Sequence, residues 1–438
     1  MEKKIFISEF EAEERLKDRN SFSLPSLSFF SKRNDTLIEG MDGLAITMAD
    51  DGDILVTRKR LPEEYLAYWR DNICDVDNFS PESDGRGREE HSERYSIYEL
   101  LQNDPEVSKL LKSGTIVNYA LVPEFYEMCD VSGIENHEPD LNTVLKINSK
   151  AYSNSLKIKL DLPAKGINVR SVEEFTETAE KMLKEYDKVL IKDSMGVSGK
   201  GILPIDSLDS VQRLSAHFRK QEEQGRTGFD FVLEPLLNKT MDFSCQFHIK
   251  PEGEVIIDGY QKNHSKGYAY LSSGPLEKEE SELIEASGYR QCIMKIAEEI
   301  FKDGYYGPAC VDSMIVDENT VIPLVEINPR MSMGRFNLRL EKYLGKKSRL
   351  AYVEGMRNEG YGFDKLLEDL REKKILYERQ NPTGVIPLAP CTWCMDECKG
   401  QRVRIYFAII YETDEEYKEI YDTWLGHCSG SICTGPVA

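Results

Sequence analysis

Near position 330 three polar residues alternate with apolar ones: Glu326, Asn328 and Arg330, within Val325-Glu326-Ile327-Asn328-Pro329-Arg330. On a strand, a spacing of two sends all three side chains to one face. A carboxylate, an amide oxygen and a guanidinium on a buried face are costly unless they hold something charged. Hard oxygen ligands beside a cation suit magnesium bridging phosphates, with the arginine gripping the group in transfer. Asp312, in Cys310-Val311-Asp312-Ser313-Met314, falls on a preceding strand and supplies a second carboxylate. Asp317-Glu318-Asn319 then makes the hairpin turn between the two strands. Taken alone, Glu-x-Asn-x-Arg reads equally well as the polar end of an ordinary strand.

A second segment shifts that balance. The run Lys188-Val189-Leu190-Ile191-Lys192 reads as a strand, and Asp193-Ser194-Met195-Gly196-Val197-Ser198-Gly199-Lys200-Gly201 as a glycine-rich loop. Glycines let backbone N–H groups approach phosphate oxygens, and Lys192 at the strand end would neutralise a phosphate. The loop is not a Walker A motif, because Ile202-Leu203 stand where Lys-Ser/Thr is required. Its glycine spacing also departs from the dinucleotide fingerprint. Between the two segments lies a third, Phe231-Val232-Leu233-Glu234-Pro235-Leu236-Leu237, an apolar strand carrying one acid. A strand-edge backbone with one adjacent carboxylate can read an adenine, the carboxylate accepting from the exocyclic amine.

In this order the three segments resemble the ATP-grasp superfamily over roughly residues 140 to 350. The resemblance implies ATP and Mg2+ as cofactors. It assigns Lys192 to phosphate, the loop from Ser194 through Gly196, Ser198 and Gly199 to Gly201 to a lid, and Glu234, Pro235, Leu236 and Leu237 to an adenine hinge. It gives Asp312, Glu326 and Asn328 to the metal, and Arg330 to steadying an acyl phosphate. A further phosphate lysine is expected before a helix leading to a Gly-Ile-x-Val strand. Lys150, ahead of Gly166-Ile167-Asn168-Val169, takes that place, with Lys157 as its rival. For the substrate, Lys262 and His264 in the loop expected after the strand Val255–Ile257 are candidates, as is Arg335 beyond the metal strand.

The expected fold class is α/β (α+β), in three parts. Residues 1–140 resemble an α/β pre-ATP-grasp domain, with strands at Leu44–Met48 and Ile54–Thr57, a helix around Glu63–Trp69 and a polar loop over 77–90. Residues 141–350 form the catalytic core and 351–438 a C-terminal α/β module, with a helix near Glu368 and a strand from Arg402 to Tyr411. The chain has 438 residues and 40% hydrophobic content, enough for two or three domains. No apolar run approaches the length of about 18 residues that a membrane helix needs, and Met1–Glu9 is too short and acidic for a signal peptide. A cytoplasmic protein is expected. A net charge of −21 opposes nucleic-acid binding. The ten cysteines include Cys391, Cys394, Cys398, Cys428 and Cys433 near the C-terminus, whose spacing favours free thiols over zinc.

ATP-grasp chemistry converts a carboxylate to an acyl phosphate, which an amine or thiol then attacks. The expected activity is therefore an ADP-forming carboxylate–amine or carboxylate–thiol ligase. Its substrate would be an amino acid or other small carboxylate, and its acceptor an amine, a peptide or an acyl-carrier protein, as in antibiotic biosynthesis. The basic cluster Lys342, Lys346, Lys347 and Arg349 is the candidate for docking an acidic carrier. The alternative is a nucleotide-binding regulatory protein that kept the fold and lost the chemistry. A complete Asp312, Glu326, Asn328 and Arg330 set opposes it.

Overall fold

The computed structural model describes residues 3–25, 35–81, 95–102, 104, 106–196, 201–267 and 269–434. Four short strands, β1 (Lys4–Ile7), β2 (Ile54–Val56), β3 (Asp77–Phe79) and β4 (Thr115–Asn118), pair in parallel in the order β3-β2-β1-β4. Ile5, Phe6 and Ile7 are all buried, as a parallel strand covered on both faces requires. Leu44–Met48, expected as a strand, is instead part of the 3-10 helix Met41–Met48. Its apolar residues run without alternation, so periodicity could not separate a buried helix from a buried strand. Of the polar loop expected over residues 77–90, the first three residues are β3, and residues 82–90 lie outside the described residues.

A second, antiparallel sheet combines β5 (Ile167–Val169), β6 (Val189–Asp193), β7 (Ile202–Ile205) and β8 (Phe231–Pro235) in the order β5-β8-β6-β7. The helices Val172–Met182 and Leu208–Glu223 pack on it through Phe175, Phe218 and their neighbours. Ser171 and Ser207 cap these helices, each accepting a backbone N–H three residues on.

The third sheet is antiparallel and has nine strands. They are β9 (Lys239–Ile249), β10 (Val255–Lys266), β11 (Ala269–Gly274), β12 (Gly307–Val316), β13 (Thr320–Asn328), β14 (Lys347–Arg357), β15 (Gly384–Leu388), β16 (Arg402–Tyr411) and β17 (Cys433–Thr434). The order is β13-β12-β9-β10-β11-β14-β16-β15, with β17 beside β14. Two sequence expectations change here. The segment from Gly259 onward is not a loop: β10 runs unbroken to Lys266, with a bulge at Gly259, whose φ of +149° only glycine adopts readily. The C-terminal residues do not stand apart, because β14, β15 and β16 extend the same sheet. One continuous apolar core reaches from Ile5 to Cys433, joining the N-terminal strands to this sheet. No helix among the described residues is long and apolar enough to cross a membrane.

Candidate functional site

The site is built on the β12–β13 hairpin. Asp317 and Glu318 make its turn in left-handed conformations, at φ +49° and +68°. The resulting register sets Asp312 directly opposite Glu326, and Cys310 opposite Asn328. Like charges directly opposite on one sheet face repel. Burial, and then the charge of Glu326, push the Asp312 carboxyl up to about 7. Burial also pushes Glu326 upward, but Lys150, Lys192 and Arg330 outweigh it and hold Glu326 below the ordinary glutamate range. The cations thus favour charge on Glu326, while burial and the facing carboxylate disfavour it on Asp312.

Asn328 bridges the set, donating from Nδ2 to Asp312 Oδ2 at 3.0 Å and accepting at Oδ1 from Arg330 at 3.1 Å. Among the described residues no three carboxylate, histidine or cysteine side chains cluster tightly enough to cage a metal alone. Two carboxylates and an amide do fit Mg2+, which keeps several of its positions for water and phosphate oxygens.

Lys150 opens the helix Lys150–Lys159, whose N-cap Ser149 accepts from Tyr152 N at 3.1 Å. Its Nζ lies 3.1 Å from Glu326 Oε2 and donates to the Gly196 carbonyl at 2.8 Å. A single ammonium therefore links β13 to the glycine-rich loop. Ser194 anchors the same junction: its carbonyl accepts from Lys150 N, and its hydroxyl from Ala151 N at 3.2 Å. Gly196 and Gly201 close the loop's base, and a Cβ on Gly196 would come within 2.8 Å of the Gly201 Cα. Ser198 and Gly199 lie outside the described residues.

At the expected hinge, Glu234 ion-pairs with both Lys192 and Lys157. Burial raises the Glu234 carboxyl, but the two lysines outweigh it and hold it at about 2. Pro235 ends β8, Leu236 N donates to the Lys188 carbonyl at 3.0 Å, and the Leu237 carbonyl accepts from Lys239 N at 2.9 Å.

Arg330 reaches back to the N-terminal strands. Nε donates to Glu13 Oε1 at 2.7 Å, and NH2 pairs with the same carboxylate while also donating to Asn328. NH1 donates to the Tyr119 hydroxyl at 3.3 Å and to the Met331 carbonyl at 3.0 Å. All five N–H donors of the guanidinium are thereby committed within the protein.

The substrate candidates fall elsewhere. Lys262 pairs across to Phe243 and Gly274 and His264 to Ser272, on the sheet face opposite Asp312, which pairs with Ser244. Lys262 is held there by Glu280. An extended strand alternates its faces, so Lys262 and His264 share one face and Asn263 points to the other. Arg335 is buried and held by Asp258 at 2.8 Å and the Phe247 carbonyl at 2.6 Å. The face of Asp312 instead carries Ser244, Gln246, Asn263 and Ser273. Asn263 donates to Ser244 at 3.1 Å and accepts from Ser273 at 3.0 Å, and Ser332 donates to Gln246 at 2.7 Å. The basic cluster is offset as well: Lys346 pairs with Glu412, Lys347 with Asp414 at 3.5 Å, and Arg349 lies 4.6 Å over the Tyr417 ring. All ten cysteines are free thiols.

Comparison with solved structures now decides the fold. The biotin carboxylase of Campylobacter jejuni matches with a TM-score of 0.59 at 11% identity, covering 100% of this chain and 93% of that one. The biotin carboxylase domain of the Hydrogenobacter thermophilus 2-oxoglutarate carboxylase, solved with MgADP and bicarbonate, matches at 0.56 and 13%, covering 100% and 92%. N5-carboxyaminoimidazole synthetase from Staphylococcus aureus, complexed with ADP, matches at 0.52 and 12%, covering 96% of each chain. The chain shares the fold of these biotin carboxylases and of this synthetase. At the level of sequence, the butirosin acyl-carrier protein–L-glutamate ligase of Niallia circulans is 26% identical over 232 residues, 49% of this chain and 50% of that protein. The chain thus aligns with about half the length of this curated relative. No family model matches.

Proposed function

We propose that this protein is an ADP-forming ligase that activates a small carboxylate, an amino acid, as an acyl phosphate and passes it to an amine or a carrier-protein thiol. The observation that carries the reading is the direct opposition of Asp312 and Glu326, two half-buried carboxylates under Lys150 beside a lysine-bordered glycine loop. Glu234 and the backbone of 234–237 take the adenine, and Lys150 and Lys192 take the phosphates. Asp312, Glu326 and Asn328 hold Mg2+, which when bound neutralises phosphate charge. The carboxylate oxygen attacks the γ-phosphorus and ADP departs. The acceptor nitrogen or sulfur then attacks the acyl carbon, losing its proton as inorganic phosphate leaves. Most of the rate enhancement is electrostatic preorganisation around these anions. Likeness to the butirosin acyl-carrier protein–L-glutamate ligase supports an amino acid as donor, a carrier thiol as acceptor and a role in natural-product assembly.

The test supplies purified protein with ATP, Mg2+ and pooled amino acids, with hydroxylamine as acceptor and products identified by mass. One dominant hydroxamate is expected. Glu326→Ala should lower its rate by about 10²–10³, the cost of one preorganised contact, with a thermal unfolding profile like that of the wild type. Near-normal turnover by Glu326→Ala would remove Glu326 from the mechanism.

A further inference from the structure

Lys157 is not among the residues assigned to phosphate, yet it is among the largest fully buried side chains. It lies seven residues beyond Lys150 on the same helix, two turns along one face. Its Nζ has two partners, the Glu234 carboxylate and the Ala164 carbonyl at 3.1 Å. Strained backbone delivers that carbonyl, since Asp161 and Ala164 adopt φ of +53° and +58°, which is unfavourable for residues with a Cβ. Gly166 completes the seat: a Cβ there would lie 2.7 Å from Glu234 Cγ and from the Leu233 carbonyl oxygen. The segment 161–166 is thus shaped to keep one ammonium beneath the hinge carboxylate.

Glu234 is paired with two lysines, one more than its single charge requires. Stranding a buried charge by removing its only partner is strongly unfavourable. Were Lys192 the sole counter-ion of Glu234, moving it toward a phosphate would strand the carboxylate. Lys157 is the more deeply fixed of the two, and its presence removes that obstacle. We propose that Lys157 is a positioning residue, the permanent counter-charge of Glu234, whose presence releases Lys192 to the nucleotide phosphates. The inference rests on the nucleotide site described above.

The test measures dissociation constants for ADP and for adenosine by calorimetry on the full chain. The ratio of the adenosine constant to the ADP constant reports the grip on phosphate separately from the adenine pocket. In Lys157→Met the ratio should fall about tenfold or more, because Glu234 now retains Lys192. In the double variant Lys157→Met/Glu234→Gln it should return to near the wild-type value, since the neutral amide no longer holds Lys192. A merely structural lysine would weaken both ligands alike, with no recovery. Lys157→Gln, which keeps a donor for the Ala164 carbonyl, carries the same expectation should the methionine variant not fold. An unchanged ratio in the single variants, or no recovery in the double, overturns the proposal and leaves the nucleotide site standing. A wild-type protein that binds no ADP overturns the site and the proposal together.

Discussion

Two carboxylates facing each other across a strand pair repel, and a divalent cation relieves that repulsion. Asp312 and Glu326 stand in this relation, and Lys150 and Arg330 lie close enough to keep one of them ionised. The commitment of Arg330 has a consequence at the same scale. Every one of its donors is occupied, and Glu13 takes two contacts. A substrate carboxylate or acyl phosphate that engages Arg330 has to displace one of these acceptors, and the other carboxylate is the one it resembles. Glu13→Gln removes that charge. The KM for the carboxylate should then fall by about tenfold, in line with roughly 1.5 kcal/mol for a lost charge-assisted contact, with the KM for ATP unchanged. Steady-state kinetics in both substrates check this, and an unchanged or raised carboxylate KM would contradict it.

At the scale of elements, the segment after β1 connects the parts of the site. Glu13 pairs with Arg330, Lys17 with Asp193 at the start of the glycine-rich loop, and Phe22 enters the core of the small sheet. The Phe22 ring lies 5.0 Å from Phe229 and 6.3 Å from Phe218, edge on to both. Hydrogen bonds hold it too: Thr227 N donates to Asn20 O, and Ser23 N to the side-chain Oε1 of Gln221 at 3.0 Å. Phe22→Ala should cost about 3–5 kcal/mol of local packing. The expected result is faster proteolysis within the small sheet and a raised KM for ATP, with the large sheet still protected. Uniform protection across the chain would show that the strap is incidental. None of this strap was legible in the sequence, because contacts such as Glu13–Arg330 span more than three hundred residues and leave no local pattern. The β12–β13 hairpin was legible because strict alternation and an Asp-Glu-Asn turn are local signals. The strand through Lys262 was not, since the bulge at Gly259 interrupts the register that alternation would follow.

At the scale of the molecule, a single sheet of nine strands among the described residues carries β12 and β13 at one edge and the C-terminal strands at the other. The three-part division expected from local patterns and the family resemblance did not anticipate this continuity, because sheet order is set by pairing between distant strands. The helix Met333–Leu344 packs on that sheet and holds Glu341, whose carboxylate accepts from Gln261 at 2.6 Å and from Ser348 N at 3.3 Å. Burial raises the Glu341 carboxyl to about 7, against the two hydrogen bonds that favour its charged form. A raised acid pKa favours the folded state below the unfolded value, and that contribution is lost as pH climbs through the folded one. Glu341→Gln should therefore flatten the fall in melting temperature between about pH 4.5 and 7, within an upper bound of roughly 3 kcal/mol. Melting curves across that window that parallel the wild type would contradict the assignment.

The central claim is an acyl phosphate formed from ATP at the Asp312–Glu326 edge, and oxygen labelling tests it most directly. The accepted carboxylate would be supplied with ¹⁸O in both oxygens, and the phosphate and nucleotide products analysed by mass. The account predicts ADP as the nucleotide product, with one labelled oxygen in inorganic phosphate. Label appearing in AMP would mean adenylation and would contradict it.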